Sequence, residues 1–592
     1  MVAAQSPASD VEPEVRTAAG RVRGRWASGG SRPDGERVAG GGALAVFKGI
    51  PYAQPPVGDL RFLAPRPPRP WGATLEAARF GPPAPQAPFP ALLPATPAAG
   101  LPGLPRGCAA RGAPDGNWLT LNVWTPDPAA AGRLPVLVWL QGGSVLLGER
   151  EPGYDASPLA RLGVVVVTVN CRLGVEGFAQ VADAPANRGL LDSVAALGWV
   201  AENIAGFGGD PAAVTVSGGS GGAAIVAALL AMPAARGLFG RAIAQSMPGL
   251  FLAPGLAADI AQAVAAEAGI ASATRAALAA ASPMRLVSAA AAVQARMAAA
   301  GPGPGDGPWG PVALAVSPFP PVVDGEVLPR APWRALLSGA ARGVDLLVGH
   351  TRDEGRLFTR PGGPAAGLAR GQGADPLPAL VPGPGGLDAY RTAYPGLDSG
   401  RLLELSYSDW HYRMPTLHLA QSHAAAGGRT YLYELAYPAP AAPDALGACH
   451  GLDMPLLWDL PPEAPGPPEA SARAARPRAA RSCAACAPGP CPDGGNEGGT
   501  GDGDPGTAGP DAGGTSLLLT GPCPPREFRE LGELMRREWV AFATTGDPGW
   551  PAYGSQRRLT RVYDWPAAID PYPEEKSMRL WQRHQFDALG AA

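Results

Sequence analysis

An apolar run, Val214-Thr215-Val216, leads into Gly218-Gly219-Ser220-Gly221-Gly222, and an Ala-rich stretch from Ala223 to Met232 follows at once. A strand, a sharp turn and a helix must share these residues. A G-x-S-x-G turn between strand and helix is the nucleophile-elbow pattern, in which the serine hydroxyl is lifted clear of the sheet. Its glycines matter because side chains would crowd so tight a turn. On its own the pattern is weak, since 81 of the 592 residues are Gly. Its meaning depends on whether the chain also supplies a base, an acid and an oxyanion hole.

Further strand-like runs lie at Val136–Leu140, Val164–Asn170, Ala242–Gln245, Leu346–Val348 and Tyr431–Leu435. Helical patterns lie between them. Leu190, Val194, Leu197, Ala201 and Ile204 step by four and three, and Phe528, Leu531, Met535, Trp539 and Phe542 do the same. Strands alternating with helices predict an α/β fold with a mostly parallel sheet covered on both faces.

A formal net charge of -3 argues against an electrostatic nucleic-acid binder. No apolar stretch is long enough to cross a bilayer, and Met1 to Arg16 holds no signal-like apolar region. Seven cysteines, an odd and scattered set, do not form a disulfide framework. A reducing cytoplasm is therefore the expected compartment, with secretion open if a signal peptide was removed. Residues 81–107 are Pro-rich and read as a long loop. Residues 461–525 are Pro-, Gly-, Ala- and Asp-rich and read as a disordered insertion within a single domain whose core spans about residues 14–590. Cys483, Cys486 and Cys491 in that insertion lack a second ligand pair at zinc spacing, so no metal site is expected.

The flanks of the elbow carry a resemblance. Asn187-Arg188-Gly189-Leu190-Leu191-Asp192, Trp199-Val200, Asn203-Ile204 and Phe207-Gly208-Gly209-Asp210-Pro211 precede it. Phe47 to Ala53, Leu121 to Pro126, Asn170 to Gly174, Gln245-Ser246 and Thr544 to Pro548 keep the same order along the chain. This series resembles the type-B carboxylesterase/cholinesterase family, closest in flavour to bacterial para-nitrobenzyl-esterase-like members, and implies the α/β-hydrolase fold.

The resemblance implies a Ser-Glu-His triad in that chain order: Ser220, Glu354 of Asp353-Glu354-Gly355, and His450 of His450-Gly451-Leu452-Asp453-Met454-Pro455. The chemistry asks for the same types. A serine hydroxyl needs a base to take its proton, a histidine can return that proton to the leaving alkoxide, and a carboxylate fixes the imidazole tautomer. Among the six histidines His350 is the rival base, and Asp353 is the substitute acid.

The implied oxyanion donors are the backbone N–H groups of Gly143, Ser144 and Gly221. The loop here reads Gln141-Gly142-Gly143-Ser144-Val145 where the family usually has H-G-G-G-F, and Gly219 and Gly221 replace the usual Glu and Ala of the elbow. The implied function is a serine carboxylic-ester hydrolase that forms an acyl-enzyme with a small-molecule ester and needs no cofactor. The alternative is a non-catalytic or impaired member acting as a binding or adhesion scaffold.

Overall fold

The computed structural model describes residues 11–27, 43–86, 116–130, 133–143, 155–302, 309–360, 376–439, 446–459 and 525–590. Residues 460–524, which hold nearly all of the expected insertion and its cysteines, lie outside the described residues, as do 87–115 and Ser144.

An eleven-stranded sheet forms the framework. Across it run β14 (Ala568–Pro571), β13 (Leu559–Tyr563), β12 (Thr430–Leu435), β11 (Asp345–Thr351), β10 (Arg241–Gln245) and β9 (Gly209–Gly219). Beyond these come β7 (Leu134–Leu140), β8 (Val165–Val169), β6 (Thr120–Thr125), β4 (Leu44–Pro51) and β3 (Arg25–Ala27). Neighbours from β13 through β8 are parallel. The outer strands on both sides pair antiparallel. A separate small sheet joins β1 (Glu14–Arg16), β2 (Arg21–Arg23) and β5 (Leu75–Glu76).

The six strand runs read from the sequence are six adjacent strands at the centre of this sheet: β12, β11, β10, β9, β7 and β8. Their continuous apolar character follows from burial on both faces; Val136, Val138, Val165, Val166 and Val167 are all fully buried. β9 is longer than its apolar run suggests. It continues through Gly218 and Gly219 because both pair in register with Ala244 and Gln245 of β10.

The helix Arg526–Thr545 buries the whole predicted stripe from Phe528 to Phe542. The helix Arg188–Asn203 differs in detail. Leu190 and Leu197 are buried, but Ala201 is exposed and the buried face passes through Val200 instead.

β7, β9, β11 and β12 end on one edge of the sheet, and the loops leaving that edge carry Gly143, Ser220, Glu354 and His450. The carboxyl edge of a parallel sheet is where α/β proteins place ligand sites. Near this edge, Arg172 after β8 is locked to Asp192 on the helix Arg188–Asn203. Its Nε and Nη2 donate to the carboxylate at 2.8 and 2.6 Å, its backbone N–H donates at 3.0 Å, and neither side chain touches solvent. Removing one partner leaves the other charge buried and uncompensated, which costs about 3–5 kcal/mol. Asp192→Ala is therefore expected to lower stability by about that amount in chemical denaturation; a loss below ~1 kcal/mol would contradict this account of the pair.

Candidate active site

Ser220 stands at the junction of β9 and the helix Gly221–Ala231 with φ +56° and ψ -123°. A residue with a Cβ is strained there, by about 1–3 kcal/mol, and must be held by its surroundings. Its N–H donates to the Gln245 carbonyl at 2.8 Å, and its own carbonyl accepts from Ala224 N–H at 3.1 Å.

The two outer glycines of the elbow are sterically required. A Cβ on Gly218 would lie 2.7 Å from the backbone of Gly222, and one on Gly222 would lie 2.2 Å from the Leu140 carbonyl oxygen. Gly219 differs. A Cβ there would meet the Met454 Cε at 2.9 Å and Trp139 only at 3.6 Å. The Met454 side chain thus lies beside the position where the resemblance would place a glutamate.

The three residues implied by the resemblance come together. His450 Nε2 is 3.0 Å from Ser220 Oγ, and His450 Nδ1 is 2.5 Å from Glu354 Oε2. Glu354 is fully buried and also accepts from the Thr351 N–H at 2.8 Å. Burial penalises its charged form, but the His450 imidazole and the Thr351 N–H outweigh that, so its carboxyl sits below the ordinary value. Tyr412 stacks on the His450 ring with centroids 4.2 Å apart, and Phe358 lies 5.3 Å away. The two aromatic rings confine the imidazole to the orientation that spans Glu354 and Ser220.

The rivals fall elsewhere. His350 is buried in β11, with Nδ1 bonded to the Thr351 carbonyl and Nε2 to the Tyr572 hydroxyl, both at 3.0 Å. Burial first, and Arg413 second, push its imidazole down to about 4, so it is a neutral structural group. Asp353 accepts from the Ala448 N–H at 2.9 Å and from Arg356 at 2.8 Å, while its own N–H donates to the Ala448 carbonyl at 2.9 Å. It ties the loop of Glu354 to the segment that carries His450. Gln245 adds a second tie, donating to the buried Asp453 at 2.7 Å.

Of the three expected oxyanion donors, Gly143 and Gly221 are described and Ser144 is not. Gly143 has φ +81°, a conformation that favours glycine. Next to it, a Cβ on Gly142 would lie 2.6 Å from the Gly219 carbonyl oxygen, so the loop after β7 is pressed against the elbow. Among the described residues no group of three or more His, Cys, Asp or Glu could hold a metal, and no helix is long and apolar enough to cross a membrane.

The sequence model of the carboxylesterase family matches residues 11–368. The chain belongs to the carboxylesterase family. It is 32% identical over 548 residues to the para-nitrobenzyl esterase of Bacillus subtilis (strain 168), a match covering 90% of this chain and 94% of that one. A phenmedipham hydrolase of Pseudarthrobacter oxydans is 37% identical over 335 residues, covering 55% of this chain and 62% of the relative. Among solved structures, a Geobacillus stearothermophilus carboxylesterase superposes with a TM-score of 0.70 at 30% identity, over 96% of this chain and all of that one. A PNB esterase superposes with a TM-score of 0.69 at 28% identity, with the same coverage.

Within this carboxylesterase the positions that sequence reasoning missed are Tyr412, Phe358 and Met454. Phe358 lies four residues after Glu354, in the short helix Arg356–Thr359. Met454 lies inside the motif of His450, but nothing local reveals that its tip reaches Gly219. Tyr412 sits in no motif at all.

The contrast among the glycines gives an expectation. Gly222→Ala drives a methyl group into a backbone carbonyl and should cost about 1–3 kcal/mol as overpacking, with slowed fluorophosphonate uptake. Gly219→Ala meets only the flexible end of Met454 and should cost less than ~1 kcal/mol. Denaturation midpoints of the two variants check this, and equal losses would contradict it.

Proposed function

We propose that this carboxylesterase hydrolyses small-molecule carboxylic esters through an acyl-enzyme on Ser220, with His450 as the base and Glu354 as its orienting acid. The observation that carries the reading is the unbroken chain of contacts from Ser220 Oγ to His450 Nε2, 3.0 Å, and from His450 Nδ1 to Glu354 Oε2, 2.5 Å. A scaffold without chemistry has no need to hold a serine in a strained turn beneath an imidazole paired to a buried carboxylate.

In this reading Ser220 Oγ attacks the ester carbonyl carbon as His450 Nε2 takes its proton. Glu354 keeps the Nδ1 proton in place and stabilises the imidazolium that forms. The carbonyl oxygen becomes an oxyanion and accepts from the backbone N–H groups of Gly143, Ser144 and Gly221. Each such donor is worth about 10²–10³ in kcat. His450 then protonates the departing alkoxide, the C–O bond breaks, and the acyl group stays on Ser220. Water, deprotonated by the same imidazole, releases the acid and restores the serine. No cofactor takes part in these steps.

We place the chain in the cytoplasm, with Cys171 and Cys449 as buried free thiols in support. Ser220→Ala is expected to reduce p-nitrophenyl ester turnover by at least about 10³-fold while leaving the circular dichroism unchanged. Full turnover in that variant would overturn the assignment.

A further inference from the structure

Beside the elbow lies a small cleft of about 30 Å³, lined by Gly221, Ala224, Leu250, Pro320, Ser317 and His411, with neighbouring apolar residues completing its walls. Only Ser317 and His411 bring polar side chains to it. An apolar cleft with one or two convergent polar groups is the usual form of a small-molecule subsite, with the polar groups setting orientation.

His411 is 3% exposed, and its Nδ1 has no hydrogen-bond partner among the described residues. A buried polar atom without a partner costs free energy, so it needs an explanation. The residue is firmly placed. Asp409–Arg413 forms a π-helical turn, closed by the Met414 N–H donating to the Asp409 carbonyl. Such turns recur at functional sites. The His411 carbonyl accepts from Gly249 N–H at 2.7 Å, and its ring packs against Tyr407, Trp410 and Tyr412 with centroids 5.4, 5.1 and 4.3 Å away. Tyr412 turns to stack on His450, while its neighbour His411 lines the cleft.

The orientation of an ester at Ser220 assigns the cleft, on the mechanism proposed above. The leaving oxygen must face His450 Nε2, which protonates it. The oxyanion must face the N–H groups of Gly143 and Gly221. The cleft is lined by Gly221 and not by His450, so it receives the remaining substituent, the acyl chain. We infer that His411 is a specificity-determining residue which selects acyl groups bearing a neutral hydrogen-bonding group, such as a hydroxyl, on an otherwise apolar chain. Burial first, and the nearby His450 second, push its imidazole down to about 3. The neutral imidazole can exchange a single hydrogen bond with a hydroxyl, as donor or acceptor, and offers no positive charge to a carboxylate.

This inference rests on the esterase reading, and its test separates the two. The probes are the p-nitrophenyl esters of 3-hydroxybutanoate and 3-methylbutanoate, which differ by a hydroxyl in place of a methyl. The intact chain should favour the hydroxy ester by at least about 10-fold in kcat/KM, because a site built for a hydroxyl is left unpaired by the analogue. His411→Leu should bring that ratio to about 1, and His411→Gln, which keeps a donor and an acceptor, should keep it above ~3. A ratio within about threefold of 1 in the intact chain overturns the inference even if a variant fails to fold, as does a ratio that neither substitution moves. If neither ester is turned over and Ser220 takes up no fluorophosphonate, the esterase reading falls, and this inference with it.

Discussion

The active edge depends on how closely three stretches of backbone approach one another. The loop after β7, the end of β9 and the start of the helix Gly221–Ala231 meet so tightly that Gly142, Gly218 and Gly222 have no room for a Cβ. That approach accompanies the strained conformation of Ser220 and presses the loop that carries Gly143 against the elbow. The strain is tolerable because the two central strands beneath, β9 and β10, are buried and fully paired, and the Gln245 carbonyl takes the Ser220 N–H.

A second constraint acts sideways across the sheet. Glu354 and His450 leave β11 and β12, strands that are adjacent and parallel. Nearness alone does not align an imidazole. Asp353 clamps its loop to Ala448 through two hydrogen bonds, Gln245 holds Asp453, and Tyr412 and Phe358 wall in the ring. The cost of burying the Glu354 carboxylate is met by the Thr351 N–H and by His450 itself. These polar ties hold His450 without competing for either of the ring contacts that the proposed chemistry needs.

Much of this was legible in the residues, for identifiable reasons. The central strands are buried on both faces, so they write themselves as unbroken apolar runs, as in Val164-Val165-Val166-Val167. Ser220 and Glu354 sit in short motifs directly after strands, and His450 opens a short motif of its own, so their order along the chain was readable. What escaped was whatever depends on contacts between distant stretches. Asp353 looked like a substitute acid and is a clamp. Gly219 stands where the resemblance has a glutamate, and nothing local shows that Met454 lies alongside it. Ala201 fitted a helical stripe, but it is exposed and the buried face of the helix runs through Val200 instead. His411 and Tyr412 belong to no motif; they stand side by side in the π-helical turn, one lining the cleft and the other stacked on His450.

In the proposed mechanism Ser220 is the nucleophile, and its geometry, not merely its residue type, makes it reactive. Peptide mapping by mass spectrometry after treatment with a fluorophosphonate locates the reactive serine. One adduct per chain is expected, on Ser220, with ester turnover lost in proportion to labelling. An adduct on another serine, such as the buried Ser246 at the end of β10, or undiminished turnover in a fully labelled chain, would contradict it.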